Sequence, residues 1–339
     1  MVKSPPAEPP GNGMDEDLEA ELAAALPETQ QPSFARRWAL HVLPFLLLAA
    51  AVYVLWREFH DIRLAEVGAA MRAWGPETVL AALALSAASF LLMGLSEWMG
   101  LNWAGARLRL RSALAGSFIA NAIAHSLGAN LLVSGAVRAR YYARHKVGLR
   151  QVAATTLFHG VSFGVGLSFL AGVSLLVARG SEITVATSIA KPVADGMGLL
   201  LVGGVVAYVG LCATPKRPLR AFGHQAKLPS VKVALAQIGL GAIDNATAAG
   251  IVWVLLPAGS VTFVSFVGAY APSVVLGLLS HVPGGVGVFE GSVSALLSGV
   301  DRAPLAAAFL GYRLAFFLLP LALAAVALLA DTLLRRART

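Results

Sequence analysis

Four ionisable side chains lie in stretches that are otherwise apolar enough for a lipid environment. Asp244 lies in "GAIDNATAAG", Glu290 in "SHVPGGVGVFEG" and Arg313 in "GYRLAFF", while Arg138 directly follows "VSGAV". A charged side chain inside a bilayer is costly and usually marks a functional site or a pair. Arginine suits bidentate contacts to phosphate. These residues are therefore the first candidates for a polar pathway.

Each of the four charges has two interpretations. Asp244 is either a partner for a cationic group or part of a structural ion pair or interhelical hydrogen bond. Glu290 and Arg313 either form a structural salt bridge or meet the two ends of a zwitterionic group. Arg138 either captures a phosphate at the cytoplasmic mouth or is one more residue that sets orientation.

Two neutral polar residues accompany Arg138. Asn121 and His125 lie along the same stretch, and we keep them as candidates although structural polarity is the stronger interpretation. We give Glu97 and His159 less weight. The seven histidines are scattered and no set of ligands recurs at metal-binding spacing, so we expect neither a metal nor a cofactor.

The composition indicates what kind of elements must position these residues. Hydrophobic residues make up 57% of the 339 positions and charged residues only 13%, where soluble domains have roughly 25%. The chain is therefore predicted to be an all-α polytopic membrane protein. Its basic excess is explained by membrane orientation, so it does not indicate nucleic-acid binding.

The first 35 residues differ from the rest. They are rich in Pro, Glu and Ala and carry one lysine against seven carboxylates. Such a segment cannot bury enough apolar surface to offset the cost of ordering. We expect residues 1–35 to be a disordered acidic cytoplasmic tail, followed by a transmembrane domain over residues 36–335.

Six segments are long and apolar enough for full spans, each needing about 20 residues. Arg36 and Arg37 precede the first span, and Arg335, Arg336 and Arg338 follow the last, which predicts cytoplasmic termini. The predicted spans are about 38–56, 76–96, 152–178, 197–213, 233–256 and 304–333.

Residues 113–137 are apolar but have strongly basic segments at both ends. A full span here would place the following basic residues outside and invert every later loop. We therefore predict a re-entrant hairpin that enters from the cytoplasm, with Gly128 at its apex, since glycine tolerates a sharp turn.

Residues 262–300 form the second exception. The chain must be on the outer side at both ends of this segment, and residues 287–300 are too short to cross at about 1.5 Å per residue. We predict a second hairpin, entering from the periplasm. Its tip is assigned to Pro283, Gly284, Gly285 and Gly287.

The two halves of the chain repeat one plan. Each contains two spans, one hairpin and one span, over about residues 36–180 and 195–335, and the second half begins on the opposite side. "SFIANAIAHS" and "SFVGAYAPS" open the two hairpins, and "VSGAV" and "VPGGV" follow at similar offsets. Inverted repeats with broken helices near the midplane are typical of alternating-access transporters.

The stretches "SHVPGGVGVFEG", "AAAFLGYRLAFFLLPLALA", "LVSGAVRARYYARHKVGL" and "GAIDNATAAGIVWVLLP" resemble the lysylphosphatidylglycerol synthase transmembrane family. The likeness covers about residues 38–335 and is closest to the flippase region of the bacterial multiple peptide resistance factor. It implies a multi-pass inner-membrane protein that moves aminoacylated phosphatidylglycerol or another lipid between leaflets. The chain ends soon after its last predicted span, so we expect no synthase domain and no enzymatic activity.

The leading hypothesis is therefore a phospholipid flippase that acts on phosphatidylglycerol or its aminoacylated form. A transporter of a small polar solute or ion, and a translocator of a polyprenyl-phosphate carrier, remain alternatives. The expected partner is the lipid itself, and a separate lipid-modifying enzyme and a second copy of the chain are further candidates.

Overall fold

The computed structural model describes residues 64–127, 130–178, 190–214, 219–221, 224–226, 228–280, 282–297 and 299–336. The predicted acidic tail, the first predicted span and the hairpin apex Gly128 lie outside these residues. Within them the chain is almost entirely helical, as its apolar composition predicts.

Five helices are long and apolar enough to cross a membrane. They coincide with five of the six predicted spans, and four of the five begin a few residues before the predicted start. Many of their large apolar side chains are exposed, as lipid contact requires, because lipid is as apolar as a protein core. They are α2 (Pro76–Trp103), α5 (Leu149–Val177), α6 (Lys191–Ala213), α7 (Val231–Val254) and the continuous helical stretch Arg302–Ala330.

The first predicted hairpin corresponds to two helices that pack against each other. The helix α3 (Leu110–Leu127) is followed closely by α4 (Asn130–Ala143). Together they extend beyond the predicted 113–137 at both ends. A short helix, α1 (Leu64–Arg72), precedes α2.

The second predicted hairpin also corresponds to two helices that pack against each other. The helix α8 (Phe263–Leu279) begins at Thr262, whose hydroxyl accepts a hydrogen bond from the Ser265 amide at 3.3 Å. A 3₁₀ turn at Pro283–Gly285 separates α8 from the short helix α9 (Val288–Leu296).

The last predicted span contains a change of helix type. The helix α10 (Arg302–Tyr312) continues into a π-helical segment, Arg313–Leu318, and then into α11 (Leu319–Arg336). Such π segments occur mostly as single-turn insertions within α-helices, and they are frequent at functional sites. Here the segment begins at Arg313, one of the charges singled out from the sequence.

One element departs from the predicted all-α class. Two short strands, β1 (Leu219–Ala221) and β2 (His224–Ala226), pair antiparallel in the loop between α6 and α7. Helix propensity and hydropathy give no signal for so short a pair.

The helix α7 lies at the centre of the packing and contacts both α2 and α5. Its contact with α5 is a direct approach of backbones. A Cβ on Gly166 would overlap the backbone of Gly241, and a Cβ on Gly241 would overlap the Ser162 carbonyl. Small residues at such points let membrane helices pack closely.

Candidate functional site

A cavity of about 490 Å³ lies between the two helix pairs and the long helices. This volume is within the range of small-molecule sites, roughly 300–1,000 Å³. Both helices of each pair contribute side chains to its wall. The polar lining residues are Asn121, His125, Ser134, Arg138, Thr156, His159, Asp244, Asn245, Tyr270, Tyr312 and Arg313.

Arg138 lies on α4 and lines the cavity, and it forms an ion pair with Glu97, which does not line the cavity. Its Nε donates to both carboxylate oxygens of Glu97 on α2, at 2.8 Å each, and its Nη2 lies 2.8 Å from Glu97 Oε2. The Arg138 and Glu97 side chains are 1% and 0% exposed. Nη2 also donates to Asn121 Oδ1 at 3.4 Å. A charge this deep requires a partner, and Glu97 supplies it.

Glu290 and Arg313 form the second buried ion pair. Arg313 Nε and Nη2 donate to Glu290 Oε1 at 2.8 and 2.5 Å. The other oxygen, Oε2, accepts from the Gly287 amide at 2.7 Å, which closes the first turn of α9. Arg313 also stacks over the Phe317 ring, 4.5 Å from its centroid. Arg313 lines the cavity, whereas Glu290 does not line it and contacts Arg313 on the side away from the cavity.

The turn between α8 and α9 is built from glycines in the left-handed region. Gly284, Gly285 and Gly287 have φ of 61°, 63° and 84°. This conformation costs an L residue with a side chain roughly 1–2 kcal/mol. It points the Gly284 carbonyl at Arg313 Nη1, which donates to it at 2.5 Å. The predicted tip is therefore bonded to the charged residue of the last helix.

Asp244 lies buried near the middle of α7, and its environment differs from that of the two ion pairs because its partner is neutral. Its Oδ1 accepts a hydrogen bond from the Ser89 hydroxyl on α2. No ion-pair partner for it is present among the described residues. The neighbouring Asn245 is 1% exposed and donates through Nδ2 to the carbonyls of Gly241 and Phe163.

Two histidines line the cavity, and one of them lies among aromatic rings. His125 stacks on Phe316 with ring centroids 5.3 Å apart, and His159 lies on α5. The Nδ1 atoms of both rings lack a hydrogen-bond partner in the part of the chain that the structure describes. Buried polar atoms without partners are uncommon and indicate where a ligand or water would bind.

Most residues singled out from the sequence lie around this cavity. Arg138, Asp244, Arg313, Asn121 and His125 line it, as do the tip residues Gly284 and Gly285. Glu290 contacts it through Arg313, while Pro283 and Gly287 belong to the turn. Gly128 falls outside the described residues.

Two residues matter more in the structure than the sequence indicated. Glu97 is the partner of Arg138, and His159 lines the cavity. The signal for Glu97 was available: it is a carboxylate within an apolar span. Among the residues that the structure describes, no three His, Cys, Asp or Glu side chains are grouped as a metal ion would require.

Comparison with known proteins gives a consistent family. The family model described as "Lysylphosphatidylglycerol synthase TM region" matches residues 42–324. The uncharacterized protein slr0712 of Synechocystis sp. is 30% identical over 273 residues, which cover 76% of this chain and 80% of the relative. The inner membrane protein YbhN of Escherichia coli is 28% identical over 306 residues, 86% of this chain and 92% of the relative.

Proposed function

Because this chain belongs to the family of lysylphosphatidylglycerol synthase transmembrane regions, we propose that it is an inner-membrane phospholipid flippase. The observation that carries the proposal is the cavity between the two helix pairs, which combines Arg138, Arg313 and Asp244 with apolar and aromatic walls. A phospholipid head group needs polar partners of this kind inside the bilayer, and its chains need apolar ones.

The helix pairs are re-entrant hairpins in this proposal. The helices α4 and α9 have 14 and 9 residues, which at about 1.5 Å per residue give about 21 and 14 Å. The hydrocarbon core is about 30 Å thick, so neither helix is long enough to cross it. Non-helical backbone at membrane depth is tolerated where it lines a cavity. The Pro283–Gly285 turn meets this condition, because Gly284 and Gly285 line the cavity.

The arrangement of helices supports an inverted repeat. The order α2, α3 with α4, then α5 corresponds to α7, α8 with α9, then α10 with α11. Ser89 and Asp244 both lie thirteen residues after the first residue of their helices, Pro76 and Val231, and they are hydrogen-bonded to each other. Such a contact between equivalent positions is expected where a pseudo-two-fold axis passes between α2 and α7.

In the proposed mechanism, the lipid head group enters the cavity while the acyl chains stay in the membrane. Arg138 and Arg313 belong to opposite repeats, and each is compensated by its own carboxylate. Neither charge is therefore left unpaired as the halves rock around the head group, which would otherwise cost at least roughly 2.5–3.5 kcal/mol. The substrate moves between leaflets by alternating access.

The test is leaflet exchange in proteoliposomes that contain purified protein and trace phospholipids labelled on an acyl chain. An impermeant quencher reports the fraction of label in the outer leaflet. We expect the quenched fraction to exceed that of protein-free vesicles for at least one head group in a panel. Quenching equal to protein-free vesicles for every head group, together with uptake of a small solute, would favour the solute transporter instead.

A further inference from the structure

Two histidines of the cavity make no hydrogen bond to any residue that the structure describes. His125 on α3 and His159 on α5 both line the cavity. The Nδ1 atom of each ring is buried without a partner, and neither Nε2 is bonded within the described part of the chain. Asn121 and Thr156, in the same wall, both donate to other protein groups. The two imidazoles are therefore available to a ligand.

Both rings lie in the neighbourhood of Arg138. The Arg138 guanidinium is within electrostatic range of His125 and His159, and the two rings are within range of each other. The helix α4, which carries Arg138, packs against both α3 and α5. A phosphate held by Arg138 would therefore lie near both imidazoles.

The charged groups around the cavity leave no positive charge over for an anion. Arg138 and Arg313 are each neutralised by a glutamate of their own, and Asp244 adds no positive charge. An anionic head group would therefore carry an uncompensated negative charge into the bilayer, which is costly. Apart from the two histidines, the ionisable side chains among the described residues that line the cavity or pair with a lining residue are Glu97 on α2, Arg138 on α4, Asp244 on α7, Tyr270 on α8, Glu290 on α9, Tyr312 on α10 and Arg313 in the π-helical segment.

An imidazole can supply the missing charge by taking up a proton. Histidine is the side chain that ordinarily changes its charge between about pH 5 and 8. The protonated ring donates hydrogen bonds from both nitrogens, and charge-assisted bonds to phosphate are stronger than neutral ones. Ionisable residues inside membrane helices include the proton relays of pumps and transporters. The unbonded ring nitrogens and the missing positive charge therefore point to one event, protonation as an anion binds.

We propose that His125 and His159 form a proton-binding pair, so that an anionic phosphodiester head group enters the cavity together with a proton. The proposal deepens the proposed flippase function and rests on it. The proton adds to a ring nitrogen of one imidazole as the phosphate anion binds, and both leave on the other side of the membrane. A lipid whose only charge is its phosphate then crosses without net charge. A difference in pH across the membrane can drive it toward the more alkaline side.

Proton uptake is measured first, because it does not depend on transport. Short-chain phosphatidylglycerol is titrated into the full chain in detergent, and the binding enthalpy is compared among buffers that differ in ionisation enthalpy. We expect the wild type to take up to about one proton per bound lipid near neutral pH. The double variant His125→Gln with His159→Gln should take up none. His145→Gln is the matched control, since His145 is exposed and does not line the cavity.

The wild type alone tests the inference if the double variant fails to fold. Lipid binding without proton uptake would overturn the proton-binding pair. Uptake that persists in the double variant and is lost in Asp244→Asn would assign the proton to Asp244 and overturn the pair as well. Glycerophosphoglycerol, which has the same phosphodiester without acyl chains, is titrated in parallel. Proton uptake with this compound and not with the lipid would assign the site to a free solute and overturn the lipid as the ligand.

Transport under a pH difference separates this inference from the flippase proposal. In proteoliposomes, trace acyl-labelled phosphatidylglycerol should collect in the leaflet on the more alkaline side, by at most about tenfold per pH unit for one proton. The histidine double variant should lose this dependence, and protein-free vesicles under the same pH difference are the control. Leaflet exchange that reaches the same distribution with and without a pH difference would retain the flippase and overturn proton coupling. Proton uptake on binding without movement of any lipid would retain the proton-binding pair and overturn the flippase.

Discussion

Glu97 and Arg138 are joined by a bidentate contact, in which Arg138 Nε lies 2.8 Å from Glu97 Oε1 and Nη2 lies 2.8 Å from Glu97 Oε2. The pair connects α2 to α4, which are separated in sequence by α3. Both side chains are buried, so each depends on the other to offset the loss of hydration.

Glu97→Gln is expected to destabilise the protein by about 3–5 kcal/mol, because it leaves Arg138 buried without a counter-charge. Thermal unfolding in detergent measures the change. Asp195→Asn breaks the partly exposed pair with Lys191 and should cost no more than about 1 kcal/mol. An equal loss of stability in both variants would show that burial of the pair is not the cause.

The pair of Glu290 and Arg313 is tested with single and double substitutions. Glu290→Gln leaves Arg313 uncompensated and should lower the Tm, while Glu290→Gln with Arg313→Gln should recover most of it. Leaflet exchange is measured on the wild type, the single variant and the double variant. We expect recovered stability with lost transport in the double variant, since the proposed mechanism needs the charge of Arg313 at the head group. Recovery of both properties would assign the pair a structural role alone.

Gly284→Ala is expected to reduce transport more than a glycine-to-alanine change at another residue with a similar positive φ. The added Cβ would lie 3.0 Å from Arg313 Nη1 and 3.4 Å from the His125 carbonyl, so it would displace the tip from the last helix. Gly259 is a matched control with φ of 78° and no atom within 4 Å of an added Cβ. Both variants should lose roughly 1–2 kcal/mol of stability. Equal transport by the two variants would limit the tip to a connecting role.

Opposite orientation of the two hairpins is tested by labelling single cysteines. With Cys212 replaced by serine, the full chain carries either Gly128→Cys or Val286→Cys. A membrane-impermeant thiol reagent should label the first from the cytoplasmic side and the second from the periplasmic side. Labelling of both from the same side would exclude the inverted arrangement.

Local sequence was sufficient to identify charged residues that lie within apolar segments. A charge in an apolar helix is visible without a structure, and Asp244, Arg313 and Glu290 were found in this way. The turn at Gly284 was equally visible, because proline and clustered glycines interrupt an apolar run. The long helices α2, α5, α6 and α7 follow from apolar length alone.

Pairings between distant segments were not accessible to the same reasoning. Ser89 and Asp244 are 155 positions apart, and Arg138 and Glu97 are 41 apart, so no periodicity connects them. Arg138 could therefore be interpreted equally well as an orientation signal. The π-helical segment Arg313–Leu318 differs in this respect, because Pro320 lies two residues beyond it and cannot donate a hydrogen bond to the Phe316 carbonyl, so a local cause is visible in the sequence.

The approach of Gly166 to Gly241 sets a mechanical condition on any transport cycle. These residues belong to α5 and α7, which lie in different halves of the chain, and no side chain separates their backbones. Two helices in such contact can turn about the point where they cross, but they cannot move closer there. If the halves rotate as the proposed function requires, this contact is the point about which α5 and α7 would turn, and the two ends of each helix would then move in opposite directions.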